Sequence, residues 1–457
     1  MDAIQELVAK QRAFFAKGET KEINFRLNAL KKLQLEIRLR EKEIAAALQQ
    51  DLGKHPFEGY MAEIGLTLEE LSFIAQKLPR WAKDKKVKTG VANFPGKSFI
   101  HYEPYGVALI MAPWNYPFLL SLAPLIGAVA AGNCAVLKPS AYAPATSGVI
   151  RALVESCFAP GHVAVVEGGR AENSALMEQR FDYIFFTGSV EVGKLVMQKA
   201  AANLTPVSLE LGGKSPCIVD ETADIELAGR RIAFGKFLNA GQTCIAPDYL
   251  LVQQSVKQPL LEAIQRATEG FFGEEALQSP ELPKIVNQKH FDRLCGLLQS
   301  GEVFFGGQTN AETLQIAPTV LTGVLPGSPI MQEEIFGPLL PVLTFDVPGT
   351  AISFVNSREK PLALYLFSNS KETQQQVLQQ CSFGGGCIND TVMHIASTYM
   401  GFGGVGHSGM GNYHGVRSFK TFSHEKSILK KGTWLDVKLR YHPYTKFKSS
   451  VVKKILK

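Results

Sequence analysis

Apolar residues recur with a helical period along the N-terminal part of the chain, where they alternate with many charged residues. One such run sets leucines and an isoleucine among lysines and arginines: Leu30, Leu33, Leu35, Ile37 and Leu39. Apolar positions three and four residues apart lie on one face of a helix. The segment 2–80 is therefore predicted to form amphipathic helices.

From about residue 105 onward, short apolar runs alternate with stretches of helical length. In the first series the predicted strands are Val107–Met111, Ala135–Leu137, His162–Val166 and Tyr183–Phe186. In the second series they are Cys217–Val219, Tyr249–Val252, Val320–Leu321, Leu340–Leu343, Leu362–Phe367 and Cys387–Asn389. Strands that alternate with helices are typical of βαβ units. We expect an α/β fold with two domains, of which the first contains a doubly wound sheet.

The longest uncharged segment, residues 104–137, contains no Asp, Glu, Lys or Arg. Its length exceeds the roughly 20 residues that span a bilayer as a helix. Pro113, Pro117 and Pro124 interrupt it, however. Parallel strands covered on both faces are near-continuous apolar runs. We therefore expect a buried strand, a turn, a buried helix and a second strand.

The net charge of +6 arises from the C-terminal 20 residues, which hold six lysines and Arg440 but no acid. The other 437 residues carry 41 basic and 42 acidic groups, so a nucleic-acid-binding surface is not indicated. The seven cysteines are scattered without a Cys-x-x-Cys pair, which favours reduced thiols in the cytoplasm and neither disulfides nor a metal site. The N-terminus lacks the pattern of a signal peptide.

Four short motifs carry candidate chemistry: Glu210–Lys214, Gly241–Cys244, Pro113–Pro117 and Glu333–Pro338. The first two supply a carboxylate and a thiol, the pair needed for covalent acyl chemistry with water as the final acceptor. The third presents the uncharged amide of an asparagine on a turn fixed by prolines. The fourth places an acid and an aromatic residue beside a turn.

The loop Phe186–Gly193 follows a predicted strand and opens a predicted helix, which is where free amides hold phosphates. It departs from the G-x-G-x-x-G fingerprint, because Val190 occupies the second glycine position. It also departs from a Walker A loop, because Leu195 lacks the hydroxyl that binds magnesium. A P-loop nucleotide hydrolase is therefore an alternative class, and a plain β–α turn is the alternative structural interpretation.

Taken together, the four motifs resemble those of the aldehyde dehydrogenase superfamily, and the resemblance runs from about Leu30 to His424. Three further segments resemble its class 3 branch: Cys244–Tyr249, Gly401–Gly411 and Phe419–His424. The resemblance implies a Rossmann-type cofactor domain (residues 1–81 and 105–209) and a second α/β catalytic domain (210–414). It also implies small oligomerisation segments (82–104 and 415–440), which leave a basic tail (441–457).

The implied activity is NAD(P)-dependent oxidation of medium- or long-chain aliphatic or aromatic aldehydes to carboxylic acids. Cys244 is the implied nucleophile, forming a thiohemiacetal and then a thioester. Asn115 and the Cys244 backbone amide are the implied donors to the oxyanion. Glu210 is the usual base for thioester hydrolysis in the superfamily, but in class 3 the equivalent of Glu334 has also been assigned this role, and the choice stays open.

The resemblance also implies the residues that contact the dinucleotide: Lys138, Gly188, Ser189, Gly193, Leu211, Glu334 and Phe336. Many relatives carry a glutamate three residues after the lysine, where this chain has Ala141. A carboxylate there would repel a 2′-phosphate. Its replacement by alanine predicts that NADP is accepted as well as NAD, unless another group contacts the ribose.

Several assignments are looser. Lys236 is interpreted as a solvated helix residue and His414 as structural. Candidates for the substrate tunnel are Tyr60, Tyr116, Ile395 and Ala396. We expect a homodimer. The basic tail resembles an amphipathic helix that rests on an anionic membrane, but a solvated or partner-docked tail is slightly favoured.

Two further alternatives remain, of which one is an enzyme and the other has no catalytic activity. In a CoA-acylating aldehyde dehydrogenase, coenzyme A would replace water, and the retained Glu210 argues against this. A catalytically silent relative would be expected to lose Cys244, which is present.

Overall fold

The structure is a computed structural model that describes residues 2–456. Its α-helices are α1 Asp2–Ala16, α2 Ile23–Leu39, α3 Glu41–Leu52, α4 Pro56–Gly59, α5 Gly65–Trp81, α6 Leu119–Ala131, α7 Pro144–Cys157, α8 Arg170–Met177, α9 Val190–Ala201, α10 Ile225–Phe237, α11 Lys257–Phe272, α12 Gln288–Leu297, α13 Pro348–Asn356, α14 Lys371–Gln380, α15 Val416–Thr421 and α16 Lys446–Ile455. A single π-helical turn, Tyr60–Ile64, joins α4 to α5.

The strands of the described residues form four sheets. They are β1 Lys85–Val87, β2 Gly96–Pro104, β3 Val107–Met111, β4 Cys134–Lys138, β5 Val163–Val165, β6 Tyr183–Thr187, β7 Val207–Glu210, β8 Pro216–Val219, β9 Tyr249–Gln253, β10 Glu302–Phe305, β11 Thr309–Asn310, β12 Gln315–Ile316, β13 Thr319–Thr322, β14 Leu339–Phe345, β15 Ala363–Phe367, β16 Gly385–Ile388, β17 Gly409–Met410 and β18 Ser423–Lys431.

A six-stranded sheet in the order β17-β7-β6-β3-β4-β5 occupies the first half of the chain. Its strands are parallel except β17, which is antiparallel to β7. Strands β3, β4 and β6 are buried at every position, as is helix α6. The uncharged segment 104–137 is therefore a strand, a turn, a buried helix and a second strand, as expected.

A seven-stranded sheet in the order β10-β13-β14-β9-β8-β15-β16 forms the second half. Only β10 runs antiparallel to its neighbour. The predicted strands match observed ones to within one or two residues, whereas β7, β10 and β17 of these sheets were not predicted. The α/β fold is confirmed. The edge strand β17 comes from late in the chain, so Gly409–Met410 lies on the first sheet rather than the second.

A separate three-stranded antiparallel sheet joins β1, β2 and β18. The β2–β18 ladder runs from Pro104 opposite Ser423 to Gly96 opposite Lys431. The segments predicted to bridge subunits, 82–104 and 415–440, thus meet in one sheet, which we call the arm (residues 85–104 and 423–431). The predicted division into domains and the function of the arm stay predictions.

The N-terminal helices carry a narrower apolar face than the sequence suggested. Leu30, Leu33 and Ile37 of α2 are fully buried, as the helical period requires. Leu35 and Leu39 are exposed, at 57% and 70% of their surface. They lie on the opposite face of the helix, so their inclusion in the apolar run was wrong. Among the described residues, no helix has both the length and the apolar character needed to cross a bilayer.

Candidate active site

A largely apolar cavity of about 170 Å³, here called the catalytic cavity, is bounded by elements from both large sheets. Glu210 lies in its wall at the carboxyl end of β7, and Cys244 lies in the loop that follows α10. The remaining lining residues are Met61, Ala62, Leu66, Tyr116, Leu119, Leu120, Thr187, Leu211, Phe234, Leu238, Thr243, Ile245, Val392, Met393, Ile395, Ala396, Phe402 and Tyr413. The predicted thiol and carboxylate therefore face one enclosed space.

The loop that carries Cys244 has an unusual backbone. Asn239 and Ala240 both adopt left-handed conformations, with φ of 53° and 51°. Gly241 follows with φ of 72°, and a Cβ there would overlap the carbonyl of Gly337. Left-handed non-glycine residues cost roughly 1–3 kcal/mol each and persist where surrounding contacts impose them. The glycine before the cysteine is thus needed both for its φ and for the close approach of the Glu333–Pro338 segment.

Side-chain hydrogen bonds hold this loop in place. Gln242, fully buried, donates from Nε2 to the carbonyls of Asn239 (3.1 Å) and Lys284 (3.0 Å). Its Oε1 accepts from the backbone N–H of Val286 at 3.0 Å. The hydroxyl groups of Tyr116 and Thr243 lie 2.7 Å apart. These contacts fix the backbone on the N-terminal side of Cys244.

Burial raises the pKa of the Cys244 thiol, and the nearby carboxyl groups of Glu334 and Glu210 raise that pKa further. The thiol is therefore protonated at neutral pH in this state. Glu210 is 3% exposed, and both of its carboxyl oxygens lack a hydrogen-bond partner. Burial raises the pKa of Glu210 well above its usual value, as expected for a carboxyl group kept from water without compensating donors.

Glu334 lies outside the catalytic cavity, against the backbone of the Glu210–Lys214 motif. A Cβ on Gly212 would overlap the Glu334 carboxyl group, so the absence of a side chain there makes room for the acid. Burial raises the pKa of Glu334 to about 8, with Asp248 adding to the effect. Two carboxyl groups with raised pKa values thus lie close enough to influence the same thiol.

Asn115 is 2% exposed and lies behind the Cys244 loop rather than among the cavity-lining residues. Its Nδ2 donates to the carbonyl of Gln242 at 3.0 Å, which leaves the second N–H of that amide group available. Its own carbonyl accepts from Asn239 Nδ2 at 2.9 Å and from Lys54 Nζ at 2.8 Å. Three contacts therefore position the asparagine, and one of them is to Gln242, two residues before the cysteine.

A fully buried ion pair, which the sequence did not indicate, supports the turn that contains Asn115. Lys54 Nζ lies 2.5 Å from Glu63 Oε1, and neither side chain is exposed. Glu63 Oε2 accepts from the backbone N–H groups of Phe118 (2.9 Å) and Leu119 (3.2 Å). The Lys54 ammonium also lies 4.0 Å from the ring centroid of Tyr116. No pattern around either residue distinguishes it from the solvated charges of the N-terminal helices.

Four of the predicted cofactor residues, Lys138, Gly188, Ser189 and Leu211, lie at or directly after the carboxyl ends of β4, β6 and β7. Gly193 lies in the first turn of α9, and Glu334 and Phe336 lie in the segment before β14. Lys138 ends β4 and is 3% exposed, with Nζ donating to the Pro139 carbonyl at 2.7 Å. Ser189, after β6, caps α9 by accepting from the Val192 N–H at 3.5 Å. The tight approach of Gly193 to Leu211 leaves no room for a side chain at position 193.

This arrangement fits a dinucleotide, because the crevice at the carboxyl ends of parallel strands and the N-terminus of a helix are where such ligands bind. The buried hydroxyl of Thr187, which lines the catalytic cavity, has no hydrogen-bond partner. Leu211 also lines that cavity, so it connects the α9 loop to the thiol. Phe336, with φ of 50°, packs edge-on against Trp114 at 5.3 Å.

Three looser assignments are decided by burial. The interpretation of Lys236 as a solvated residue was wrong: it is 1% exposed, and burial lowers its pKa to about 8. His414 is 6% exposed, stacks on Tyr413 at 4.1 Å and lies 3.6 Å from Glu70. Among the tunnel candidates, Tyr116, Ile395 and Ala396 line the catalytic cavity, whereas Tyr60 does not and is 44% exposed.

Comparison with known proteins identifies this constellation. The model of the aldehyde dehydrogenase family matches residues 2–428. The chain belongs to the aldehyde dehydrogenase family. It is 50% identical to the 4,4'-diaponeurosporen-aldehyde dehydrogenase of Staphylococcus aureus over 98% of both chains. It is 44% identical to the dimeric NADP-preferring aldehyde dehydrogenase of Rattus norvegicus over 97% of this chain and 98% of the relative.

Among solved structures, the substrate-bound state of Staphylococcus aureus AldH superposes on this aldehyde dehydrogenase with a TM-score of 0.98. That structure is 49% identical in sequence, and all of both chains is covered. The resemblance to the class 3 branch is confirmed. The enzyme oxidises aldehydes with NAD(P) as the electron acceptor. The hydrolase and CoA-acylating alternatives are not favoured.

Proposed function

We propose that this aldehyde dehydrogenase uses Cys244 as the nucleophile. Glu210 is the base for the hydrolysis that releases Cys244 from its thioester. One observation carries the proposal: the thiol and a carboxyl group without any hydrogen-bond partner line the same apolar cavity. An unpartnered carboxyl group of raised pKa is suited to take a proton from water near neutral pH.

In the first half-reaction, the Cys244 thiol loses its proton to solvent and the sulfur bonds to the aldehyde carbon. The π bond of the carbonyl group breaks, and its oxygen becomes an oxyanion. The free N–H of the Asn115 amide and the Cys244 backbone N–H stabilise that charge. Loss of one such donor commonly costs about 10²–10³ in rate. When bound, NAD(P) supplies the acceptor for the hydride that leaves as the thioester forms. Water then adds to the thioester carbon, the C–S bond breaks, and Glu210 takes the proton from water.

The position of Glu334 supports a role other than that of the base in thioester hydrolysis. It lies over Gly212 and outside the catalytic cavity, beside the residues proposed to hold the dinucleotide. We infer that Glu334 orients the cofactor and raises the pKa of the Cys244 thiol.

With Glu210→Gln, one equivalent of reduced nicotinamide should form rapidly and turnover should then stop. If Glu334→Gln gave this burst instead, the two assignments would be exchanged.

The basic test of the function mixes purified protein with NAD or NADP and a panel of aldehydes, following the absorbance of the reduced nicotinamide. Cys244→Ala should abolish the signal. The variant Cys295→Ala is a matched control, because Cys295 is half-buried like Cys244 but does not line the catalytic cavity. Undiminished turnover by Cys244→Ala would overturn the mechanism.

We further propose that the enzyme accepts both dinucleotides. Ala141, exposed near the proposed ribose contact Lys138, has no charge to repel a 2′-phosphate. Glu172 and Glu167 act electrostatically on Lys138, so we expect dual use rather than a strict preference for NADP. The Rattus norvegicus relative is NADP-preferring by name. An efficiency for NADP thousands of times below that for NAD would overturn the proposal, and Ala141→Glu should reduce the use of NADP selectively.

We also propose that the protein is a cytoplasmic homodimer. Scattered unpaired thiols support the cytoplasm, and exposed apolar side chains on and beside the arm support the dimer.

The tail is proposed to dock on protein rather than on lipid. Val452, Ile455 and Leu456 of the tail face Val91 and Phe94 across a cavity of about 580 Å³. Deleting residues 441–457 should leave co-sedimentation with anionic vesicles unchanged. A loss of vesicle binding on deletion would instead favour membrane contact.

A further inference from the structure

A cavity of about 10 Å³ lies beside the catalytic cavity and is here called the small cavity. The residues that line both cavities are apolar: Leu66, Leu119, Ile395 and Ala396. The residues that line the small cavity alone are polar: Glu69, Glu70, Thr398 and His414. A single layer of apolar side chains therefore separates a polar space from the space that Cys244 faces.

Two of these polar side chains are buried and incompletely hydrogen-bonded. Glu70 is 2% exposed and His414 is 6% exposed. Glu70 Oε1 accepts from the Gly415 N–H at 2.7 Å, whereas Glu70 Oε2 and His414 Nε2 have no hydrogen-bond partner in the protein. His414 Nδ1 lies 3.6 Å from Glu70 Oε2, which is too far for a direct hydrogen bond. Unpaired buried polar atoms are destabilising, so this pair is suited to bind a small polar ligand.

The backbone around His414 is held in an uncommon conformation. His414 has a φ of 78°, and a left-handed residue other than glycine persists where the surrounding contacts impose it. Its N–H donates to Ser418 Oγ at 2.8 Å. Gly415 follows with a φ of 54°, and a Cβ there would overlap the carbonyl of Thr398. These contacts keep the imidazole beside Glu70.

We propose that the small cavity holds one water molecule, bound by Glu70 and His414, and that this water replaces the one consumed when the Cys244 thioester is hydrolysed. The inference rests on the proposed function of Cys244 and adds a water site to it. A space of about 10 Å³ has room for a single water molecule. Glu70 Oε2 and the His414 imidazole supply its hydrogen bonds. Glu69, exposed in the wall of the cavity, marks the side that faces solvent.

Tyr413 links this pair to the reacting groups. Its side chain lines the catalytic cavity, and its ring stacks on His414 with 4.1 Å between the ring centroids. Burial raises the pKa of Tyr413 well above its usual value, and the charges of Glu210, Cys244 and Glu70 raise that pKa further. The tyrosine therefore lies within electrostatic reach of both sites.

Hydrolysis of the thioester consumes one water molecule in every turnover, while the acyl group on Cys244 occupies part of a largely apolar cavity. Water bound one side-chain layer away shortens the path of the replacement. Glu70 and His414 are thus positioning residues, because they act on water before it reaches the thioester. Acylation of Cys244 uses no water and should not depend on them.

An activated ester separates the step that needs water from the step that does not. The ester 4-nitrophenyl acetate acylates a nucleophilic thiol, so the burst of 4-nitrophenolate measures acylation and the later steady rate measures hydrolysis. His414→Phe removes both ring nitrogens and keeps a ring to stack on Tyr413. The burst should be retained, and the steady rate should fall by roughly tenfold or more, as expected for a reactant that is no longer positioned. His162→Phe is the matched control, because His162 is also buried but lines neither cavity.

A second variant tests the space rather than the imidazole. Thr398→Leu fills the small cavity from a residue that does not line the catalytic cavity, and it should also lower the steady rate while the burst is retained. Thr322→Leu is its control, because Thr322 is likewise half-buried but lines neither cavity. Steady rates that are unchanged in both variants, or that fall only in parallel with the burst, would overturn the water site. Release of 4-nitrophenolate that does not depend on Cys244 would overturn the proposed function instead.

Discussion

At the scale of single residues, the site disfavours the charged form of each ionisable group. Burial raises the pKa values of Cys244, Glu210 and Glu334 together. A thiolate close to two carboxylates would be costly, since like charges in a medium of low dielectric repel strongly. The raised pKa keeps the sulfur in its less reactive, protonated form. Because the groups interact electrostatically, removal of one acid should shift the pKa of the thiol.

Glu334→Gln should lower the pKa of Cys244, because it removes the carboxyl group whose charge contributes most to raising that pKa. The thiolate fraction at a given pH then increases, so alkylation by iodoacetamide should be faster and its pH profile should shift to lower pH. Rates of alkylation measured across neutral and alkaline pH test this. Glu333→Gln, which alters an exposed neighbour, should leave the profile in place. A shift to higher pH would contradict the electrostatic account.

Lys54→Met should reduce kcat much more than it changes KM. The variant removes the ammonium that bonds the Asn115 carbonyl, and an oxyanion donor acts mainly in the transition state. Unfolding should also become easier by about 3–5 kcal/mol, as for other broken buried pairs. Steady-state kinetics well below the melting temperature separate the two effects. Lys42→Met, on the exposed face of α3, is the control, and an unaltered kcat in folded Lys54→Met would refute the positioning role.

At the scale of elements, turns rather than helices or strands bring the four motifs together. Gly241 backs onto Gly337, Gly212 makes room for Glu334, and Trp114 packs on Phe336. The strands beneath them supply a rigid frame, since β6 and β7 pair with Thr187 opposite Glu210. Gly212 and Gly241 thus have a packing reason: each lets one motif segment approach another.

Gly241→Ala should lower kcat by roughly 10² or more, because a displacement of about 1 Å at a catalytic loop is that costly. The added Cβ would collide with the Gly337 carbonyl at a residue with φ of 72°. Gly296→Ala, in an exposed turn of α12, should instead stabilise the protein by about 0.5–1 kcal/mol. Kinetics and thermal unfolding of both variants test the contrast. Full activity of Gly241→Ala would show that the loop tolerates the shift.

At the scale of the whole molecule, the arm exposes apolar side chains that a single chain leaves uncovered. Exposed apolar side chains on and beside it are Val91, Phe94, Ile428, Leu429 and Trp434. Monomeric proteins rarely expose such contiguous patches. The seven-stranded sheet also ends in β16, whose outer edge has no partner strand among the described residues. Both features support assembly of two copies of this chain.

Light scattering should give a mass of twice the 50.0 kDa chain. Trp434→Asp should shift the protein towards monomer, because the introduced charge would be buried in the proposed interface without a partner. Leu325→Asp replaces a residue that is also about 70% exposed but lies away from the arm, and it should leave the mass unchanged. A monomeric unaltered protein would exclude the dimer.

How far the sequence predicts this enzyme depends on the kind of residue. Strands β3, β4 and β6 were located closely, because parallel strands buried on both faces leave uninterrupted apolar runs. The sequence analysis was wrong about Lys236, which is buried, and it gave no indication of the buried pair Lys54 and Glu63. Charged residues are normally solvated, and local periodicity does not show which charged positions another element will cover.

The sequence by itself determined most of the strands, the α/β class and the family, and it predicted which thiol and acids react, since these depend on local periodicity and on motifs of fixed spacing. Only the tertiary structure decided which groups are deprived of water, which carbonyl each donor reaches and where empty space remains. Those properties arise from contacts between segments far apart in the chain: Lys54 with Asn115, Glu334 with Gly212, and Met61 with Leu238 around the catalytic cavity. Burial, which sets the pKa values, exists only once these segments meet.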